Sequence, residues 1–144
     1  MLSSTYFMFI FLLLETAMVQ AVLEESEYSE QLENLSKTLH ASCAALTGTD
    51  DSMIEMVKKG DIPDNPTLKK YVKCLLISST AMDEDGELNK ELMVDLMPEK
   101  HRSEISKTID TCTPKVKAVA TLEDKALTFL RCLMSESPDI IPIF

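Results

Sequence analysis

The sequence predicts an all-α domain of six short helices that surround an apolar interior and carry two disulfides. Apolar residues recur at helical spacing, and no stretch shows the apolar and polar alternation of a half-buried strand. Only three glycines occur, and the prolines fall between the apolar stretches, which is typical of helices joined by short loops. The four cysteines show no C-x-x-C spacing that would suggest a zinc or redox site.

The N-terminus is predicted to be a signal peptide. Residues 6–14 form an apolar run that is too short to span a bilayer, and Val19, Gln20 and Ala21 form a cleavage motif behind it. A buried N-terminal helix, the alternative, would need partner surface that the polar run at residues 24–27 does not offer. We therefore expect cleavage of residues 1–21, one domain over residues 22–144, and secretion into an extracellular fluid.

The chain is acidic, with a formal net charge of −10 at pH 7, which becomes −9 once Glu15 leaves with the signal peptide. This charge argues against nucleic acid as a partner. The acidic runs are short and spread, so we interpret them as solvated helix surface. No membrane span is expected in the mature chain.

All four cysteines lie in the part predicted to be exported, where an even count indicates two disulfides. The sequence alone allows three pairings. Locality favours Cys43–Cys74 with Cys112–Cys132, because each bond then joins neighbouring helical segments.

The first three predicted helices have clear apolar faces. The first covers residues 26–45, and the second begins after Thr49 or Asp50 and ends at residues 58–60. The third begins at Pro66 behind an Asn65 cap and ends before the acidic run at residues 83–86. Their inward residues recur at three, four and seven positions: Leu32, Leu35, Leu39 and Leu46; Met53, Ile54, Met56 and Val57; and Leu68, Tyr71, Val72, Leu75 and Leu76.

The last three predicted helices are also short. The fourth is stopped by Pro98, and the fifth covers residues 99–111 and is broken by Pro114. The sixth begins at a Thr121 cap. Their inward residues are Leu88, Leu92, Met93, Leu96 and Met97; Ile105 and Ile109; and Leu122, Ala126, Phe129, Leu130 and Leu133.

The last seven residues hold four large hydrophobic side chains, and Pro138 and Pro142 disfavour a helix there. We expect this tail either to cover a groove on the bundle or to form one wall of the interior. The sequence leaves both alternatives open.

The sequence contains no recognisable catalytic or metal motif. His40 and His101 lie far apart, the cysteines are expected in disulfides, and no nucleophile, dinucleotide or P-loop motif occurs. The run at residues 83–87 is not an EF-hand, because Ala81 and Leu92 fall where its first and last ligands belong. We expect no enzyme activity, no cofactor and no metal, and an exposed turn at residues 83–87. A glycosylation sequon at Asn34 falls inside the first helix.

Two interpretations remain for the apolar interior. Short helices that meet at varied angles leave gaps that suit hydrophobic small molecules, such as fatty acids, alcohols, esters and terpenoids. Alternatively, the same faces form a packed core in a secreted structural or interaction protein. Periodicity alone does not separate a cavity from a core.

A family resemblance favours the first interpretation. The runs at residues 58–63, 68–74 and 82–88 resemble the insect odorant-binding proteins of the pheromone and general odorant-binding type. That family usually has six cysteines, and Lys70 and Glu123 occupy the positions of its second and fifth. The chain therefore resembles the four-cysteine "minus-C" subgroup. We hypothesise that an ion pair between Lys70 and Glu123 takes the place of the missing disulfide.

The resemblance implies six helices around a buried cavity, the same two disulfides, and a carrier of odorants, pheromones or similar hydrophobic ligands. An odorant receptor or a second copy of the chain are further partners that it implies. We take Tyr71 as the polar contact for a ligand. The residues expected to line the cavity are Leu35, Leu39, Leu68, Tyr71, Val72, Leu75, Leu88, Leu92, Ile105, Ile109, Phe129 and Leu130, with Ile143 and Phe144 as a lid.

Overall fold

The computed structural model describes residues 29–140, so the predicted signal peptide and the C-terminal residues Ile143 and Phe144 lie outside the described part. Within this part the chain forms six α-helices and no strand, apart from one isolated bridge between Met82 and Leu88. The helices are α1 (Glu30–Thr47), α2 (Asp51–Lys58), α3 (Pro66–Ser78), α4 (Lys90–Leu96), α5 (Glu99–Lys117) and α6 (Leu122–Glu136). The predicted fold class is confirmed.

Side-chain caps fix where the helices begin. Asn65 accepts hydrogen bonds from the backbone N–H groups of Thr67 and Leu68, at 2.8 and 3.1 Å, and Pro66 occupies the first helical position. Thr121 and Asp50 accept in the same way at the starts of α6 and α2. Each cap satisfies backbone donors that a helix N-terminus leaves unpaired.

Two predicted helix bounds were wrong. The first helix begins at Glu30 rather than residue 26, because Ser29 has extended backbone geometry and caps it. The fifth helix continues through Pro114 to Lys117. The buried Val116 side chain, 1% exposed, anchors the last turn in the core, which outweighs the hydrogen bond that Pro114 cannot donate.

Both predicted disulfides are present. Cys43–Cys74 joins α1 to α3, and Cys112–Cys132 joins α5 to α6, each with a Cα–Cα distance of 5.7 Å. These distances fall in the usual range for disulfides. The pairing that locality favoured is therefore confirmed.

The buried apolar residues form two clusters. The first joins residues of α1, α2, α3 and α6 and contains Cys43 and Leu68. The second contains Cys112 and Phe129 and joins residues of α5 and α6 to Met82 and Ile140. Helix contacts hold these clusters together, between α3 and α6, α5 and α6, α1 and α3, and α4 and α5. No helix among residues 29–140 is long and apolar enough to cross a membrane.

Residues 83–87 form a turn, as predicted, and all of them except the buried Gly86 are exposed. The Asp83 carboxylate accepts hydrogen bonds from the backbone N–H groups of Asp85 and Glu87, both at 2.9 Å. The Lys125 ammonium donates to the Asp85 carbonyl at 2.9 Å, which ties the turn to α6. The acidic side chain of Asp83 thus stabilises the local backbone.

Candidate functional site

An apolar cavity of about 110 Å³ lies between α2, α3 and α6. Helix α3 supplies five of its lining residues, α6 supplies three, and α2 supplies two. The lining residues are Ile54, Val57, Leu68, Tyr71, Val72, Leu75, Leu76, Phe129, Leu130 and Leu133. Most of them are buried, so the cavity is set well inside the protein.

The helical repeat brings the lining residues together. On α3, Leu68, Tyr71, Val72 and Leu75 follow spacings of three, four and seven residues, which places them on one face. That face packs against α6, where Phe129, together with Leu130 and Leu133, faces the same space. The short helix α2 closes another side. The cavity therefore depends on the packing of three helices around one space.

Tyr71 lines the cavity, but its hydroxyl is engaged by α1. The hydroxyl shares a hydrogen bond of 2.8 Å with Nδ1 of His40, and the two rings meet edge-on at 6.0 Å. Burial raises the pKa of Tyr71, so the phenol stays neutral in the physiological pH range. His40 is not a lining residue. The predicted polar contact for a ligand is therefore already hydrogen-bonded within the protein.

Six residues expected at the cavity line it in the structure: Leu68, Tyr71, Val72, Leu75, Phe129 and Leu130. Four further lining residues were not assigned to it from the sequence: Ile54, Val57, Leu76 and Leu133. Ile54 and Val57 had a signal, since they lie three residues apart on the apolar face of a predicted helix. Nothing in that pattern indicated that α2 would face α3 and α6.

The remaining expected residues lie elsewhere. Ile105 and Ile109 are buried in the second cluster, Leu88 packs against that cluster, and Leu39 packs against the first cluster. Leu35 is 38% exposed and, with Leu96 of α4, lines a separate surface groove. Leu92 is half-buried on α4 and does not line the cavity. Ile143 and Phe144 are outside the described residues.

Ion pairs link α3 to α6 beside the cavity. Lys73 of α3 donates to Glu123 of α6 at 2.5 Å. The Nζ atom of Lys69 lies 2.7 Å from Oδ1 of Asp124 on α6 and 2.6 Å from Oδ1 of Asp64. Lysines four residues apart project from one side of a helix, so both reach the start of α6. The hydrogen bond from Lys73 lowers the pKa of Glu123, and the bond from Lys69 lowers the pKa of Asp124.

The prediction that Lys70 pairs with Glu123 was wrong. Lys70 is exposed and forms no ion pair with the described residues, whereas Lys73, three residues further along α3, pairs with Glu123. The hypothesis was correct in placing an ion pair between α3 and α6. It failed on the residue because Lys70 follows Lys69, which pairs with Asp124 of α6, and adjacent helix positions project about 100° apart.

Apart from Tyr71, the described residues that line the cavity carry no titratable or nucleophilic side chain. Its lining is aliphatic and aromatic, and the residues that the structure describes include no cluster of three or more histidine, cysteine or acidic side chains placed to hold a metal. Such a cavity can bind an apolar molecule by removing its surface from water.

Comparison with known proteins assigns the chain to a family. The model of the PBP/GOBP family matches residues 25–136, more than three quarters of the sequence. The chain belongs to this family of odorant-binding proteins. Its four cysteines in two disulfides agree with the four-cysteine type of odorant-binding protein.

Individual relatives agree with this assignment. The chain is 27% identical to the B1 protein of Tenebrio molitor over 86% of its length and 94% of the relative. Its fold resembles odorant-binding protein 4 of Chrysopa pallens, with a TM-score of 0.69 and 21% identity over 78% of this chain and 96% of that one. It also resembles odorant-binding protein 7 of Anopheles gambiae, with a TM-score of 0.68 and 18% identity over 78% of this chain and 90% of that one. That protein has four disulfides and was solved in complex with an azo compound.

Proposed function

We propose that this odorant-binding protein is a secreted, soluble carrier that takes up small hydrophobic ligands in the cavity between α2, α3 and α6. The observation that carries the proposal is the apolar lining of that cavity. Membership of the PBP/GOBP family supports it, because odorant-binding proteins are carriers rather than enzymes.

The expected affinity follows from the lining. Burial of apolar surface stabilises a complex by about 25 cal/mol per Å². Loss of translational and rotational freedom on association offsets a large part of this gain. Because no charged side chain lines the cavity among the described residues, directional contacts add little. We therefore expect micromolar binding with weak selectivity among apolar compounds of suitable size.

The test uses protein purified from the medium of insect cells that express the full chain. Volatile apolar compounds are equilibrated with the protein, and headspace gas chromatography measures how much each is depleted. We expect saturable depletion. The matched variants are Leu130→Trp, which fills the cavity, and Leu46→Trp, at a residue that is 79% exposed.

Leu130→Trp should abolish depletion while Leu46→Trp retains it, with circular dichroism showing that both are folded. If Leu130→Trp does not fold, Leu76→Phe replaces it. Absence of saturable binding by the unmodified protein, across alcohols, esters, terpenoids and alkylbenzenes, would contradict the proposal. That result would favour the alternative, a structural or interaction domain with a packed interior.

Secretion has its own test. We expect the protein in the medium to begin at Val22, because cleavage is proposed after Ala21. Mass spectrometry of the intact protein measures this directly. Retention of the full chain inside the cells would contradict the signal-peptide assignment.

A further inference from the structure

One asparagine of the chain stands in an acceptor sequence for N-linked glycosylation. Asn34 is followed by Leu35 and Ser36, which matches the pattern Asn-x-Ser/Thr in which x is any residue except proline. The chain has three asparagines in all. Asn65 also has a threonine two positions later, but Pro66 between them excludes it, and the remaining asparagine has no serine or threonine at that position.

The folded structure leaves the Asn34 side chain open to solvent. Asn34 is exposed near the start of α1, whereas Cys43 of the same helix is fully buried and bonded to α3. At about 100° per residue, the nine positions between them place the two on opposite sides of the helix. Asn34 also lines the open surface groove between α1 and α4. A glycan on this side of α1 would displace no core residue.

The order of synthesis makes the same amide accessible before α1 is packed. Helix α1 packs against α3, and the Cys43–Cys74 disulfide locks the two together. N-terminal segments emerge first, so Asn34 and Ser36 are exposed before Cys74 and the rest of α3 are present. Most helical stability comes from tertiary packing, so this segment is still flexible at that stage.

We propose that Asn34 carries an N-linked glycan in the secreted protein, transferred from a lipid-linked oligosaccharide diphosphate. The Asn34 amide nitrogen forms a bond to the anomeric carbon of the first N-acetylglucosamine. The bond between that carbon and the diphosphate breaks, and the amide proton leaves with the lipid diphosphate. The inference rests on the proposed secretion, because this modification is made on secreted chains.

The experiment examines protein recovered from the medium of insect cells that express the full chain. Trypsin cleaves after Lys37, so residues 22–37 form one peptide with Asn34 as its only asparagine, and residues 60–69 form another with Asn65. Peptide N-glycosidase A in heavy-oxygen water converts a glycosylated asparagine to labelled aspartate, which mass spectrometry locates. We expect the label at Asn34 in the majority of molecules and none at Asn65.

Two variants at one position provide the matched control. Ser36→Ala leaves Asn34 in place but removes the acceptor pattern, whereas Ser36→Thr keeps it. We expect Ser36→Ala to be secreted without the glycan and Ser36→Thr to carry it, with circular dichroism showing that both are folded. Because Asn34 does not line the cavity between α2, α3 and α6, Ser36→Ala should deplete apolar compounds as the parent protein does. If Ser36→Ala does not fold, Asn34→Gln replaces it.

The outcomes separate this inference from the proposed function. If the secreted, folded protein has an unmodified Asn34, the inference is refuted while secretion and the carrier function stand. A glycan that persists in Ser36→Ala would place the modification elsewhere and would also overturn the inference. If the full chain stays inside the cells, the signal-peptide assignment fails, and the inference fails with it.

Discussion

The ion pair between Lys73 and Glu123 joins α3 to α6 beside the cavity, and its removal is expected to weaken that contact measurably. The change is a double-mutant cycle with Lys73→Met, Glu123→Gln and the two combined. Glutamine keeps the length of the Glu123 side chain and methionine keeps most of the apolar stem of Lys73, while each removes the charge. The cycle therefore isolates the energy of the pair from the packing of the two stems.

The expected coupling energy follows from the geometry. At 2.5 Å between Nζ and Oε1, opposite charges in a water-like dielectric attract by about 1.7 kcal/mol. The side chains of Lys73 and Glu123 are 31% and 35% exposed, and the entropy of holding them in place offsets part of this attraction. We expect a coupling of about 0.5–1 kcal/mol, at the upper end for exposed pairs.

The assay is equilibrium unfolding in urea at low and high salt. Raising the salt to about 1 M should remove most of the coupling, because the Debye length falls to about 3 Å. Acid should remove it as well. The pKa of Glu123 is lowered by Lys73, so its contribution is present above the unfolded pKa of about 4.3 and lost as the pH falls through the folded pKa.

Lys70 provides the matched control. It lies on the same helix but forms no ion pair with the described residues, so the cycle of Lys70→Met with Glu123→Gln should show a coupling near zero. A larger coupling for Lys70 than for Lys73 would refute the structural pairing. It would favour instead the pair inferred from the six-cysteine pattern.

Two further predictions concern bonds and backbone outside the cavity. Replacing Cys112 and Cys132 together by alanine should lower the free energy of unfolding by about 3 kcal/mol, because this disulfide closes a loop of 20 residues. Urea unfolding measures the loss. A loss below about 1 kcal/mol would contradict the expected value. Gly60→Ala and Gly86→Ala both place a side chain at positive φ, +84° and +81°, at a cost of about 1–2 kcal/mol. Only at Gly86 would the added Cβ fall 2.4 Å from Lys125 Cδ, so the flexible Lys125 side chain must move away from its hydrogen bond to the Asp85 carbonyl. Gly86→Ala should therefore cost about 1 kcal/mol more, and equal thermal stability of the two variants would contradict this.

Local signals predicted the starts of α3 and α6 because the energetics of helix caps are local. Asn65 and Thr121 sit directly before apolar-periodic segments, and each supplies an oxygen to backbone donors two or three residues away. No distant contact is needed for such a cap to form. The pairing of the cysteines was also accessible, since each disulfide joins helices that are close along the chain.

Pro114 shows where local rules fail. In isolation a proline within a helix removes a hydrogen bond and crowds the preceding turn, so a break was the correct expectation from the sequence. In the structure the turn that follows is anchored by Val116, and the turn before it by the disulfide at Cys112. Tertiary burial thus decided the end of α5, and the sequence pattern contains no measure of that burial.

The candidate cavity was predictable only in part, for a related reason. Periodicity indicates which residues face inward: it was correct for Leu68 and Ile109 and wrong for Leu46, which is 79% exposed. Periodicity does not show which part of the interior a residue occupies. Leu68 lines the cavity, whereas Ile109 is packed in the second cluster. That division depends on the angles at which α2, α5 and α6 meet, and these angles are set by contacts between distant segments.

The positions of the two disulfides bear on how a ligand would reach the cavity. Cys43–Cys74 lies on the side of the first cluster and Cys112–Cys132 on the side of the second, so neither crosses from α3 to α6. The cavity takes lining residues from both clusters and therefore lies where the two meet. In the described residues this contact is held by side-chain packing and ion pairs. No disulfide joins α3 to α6 among the described residues, so a ligand entering between these helices would oppose only noncovalent contacts.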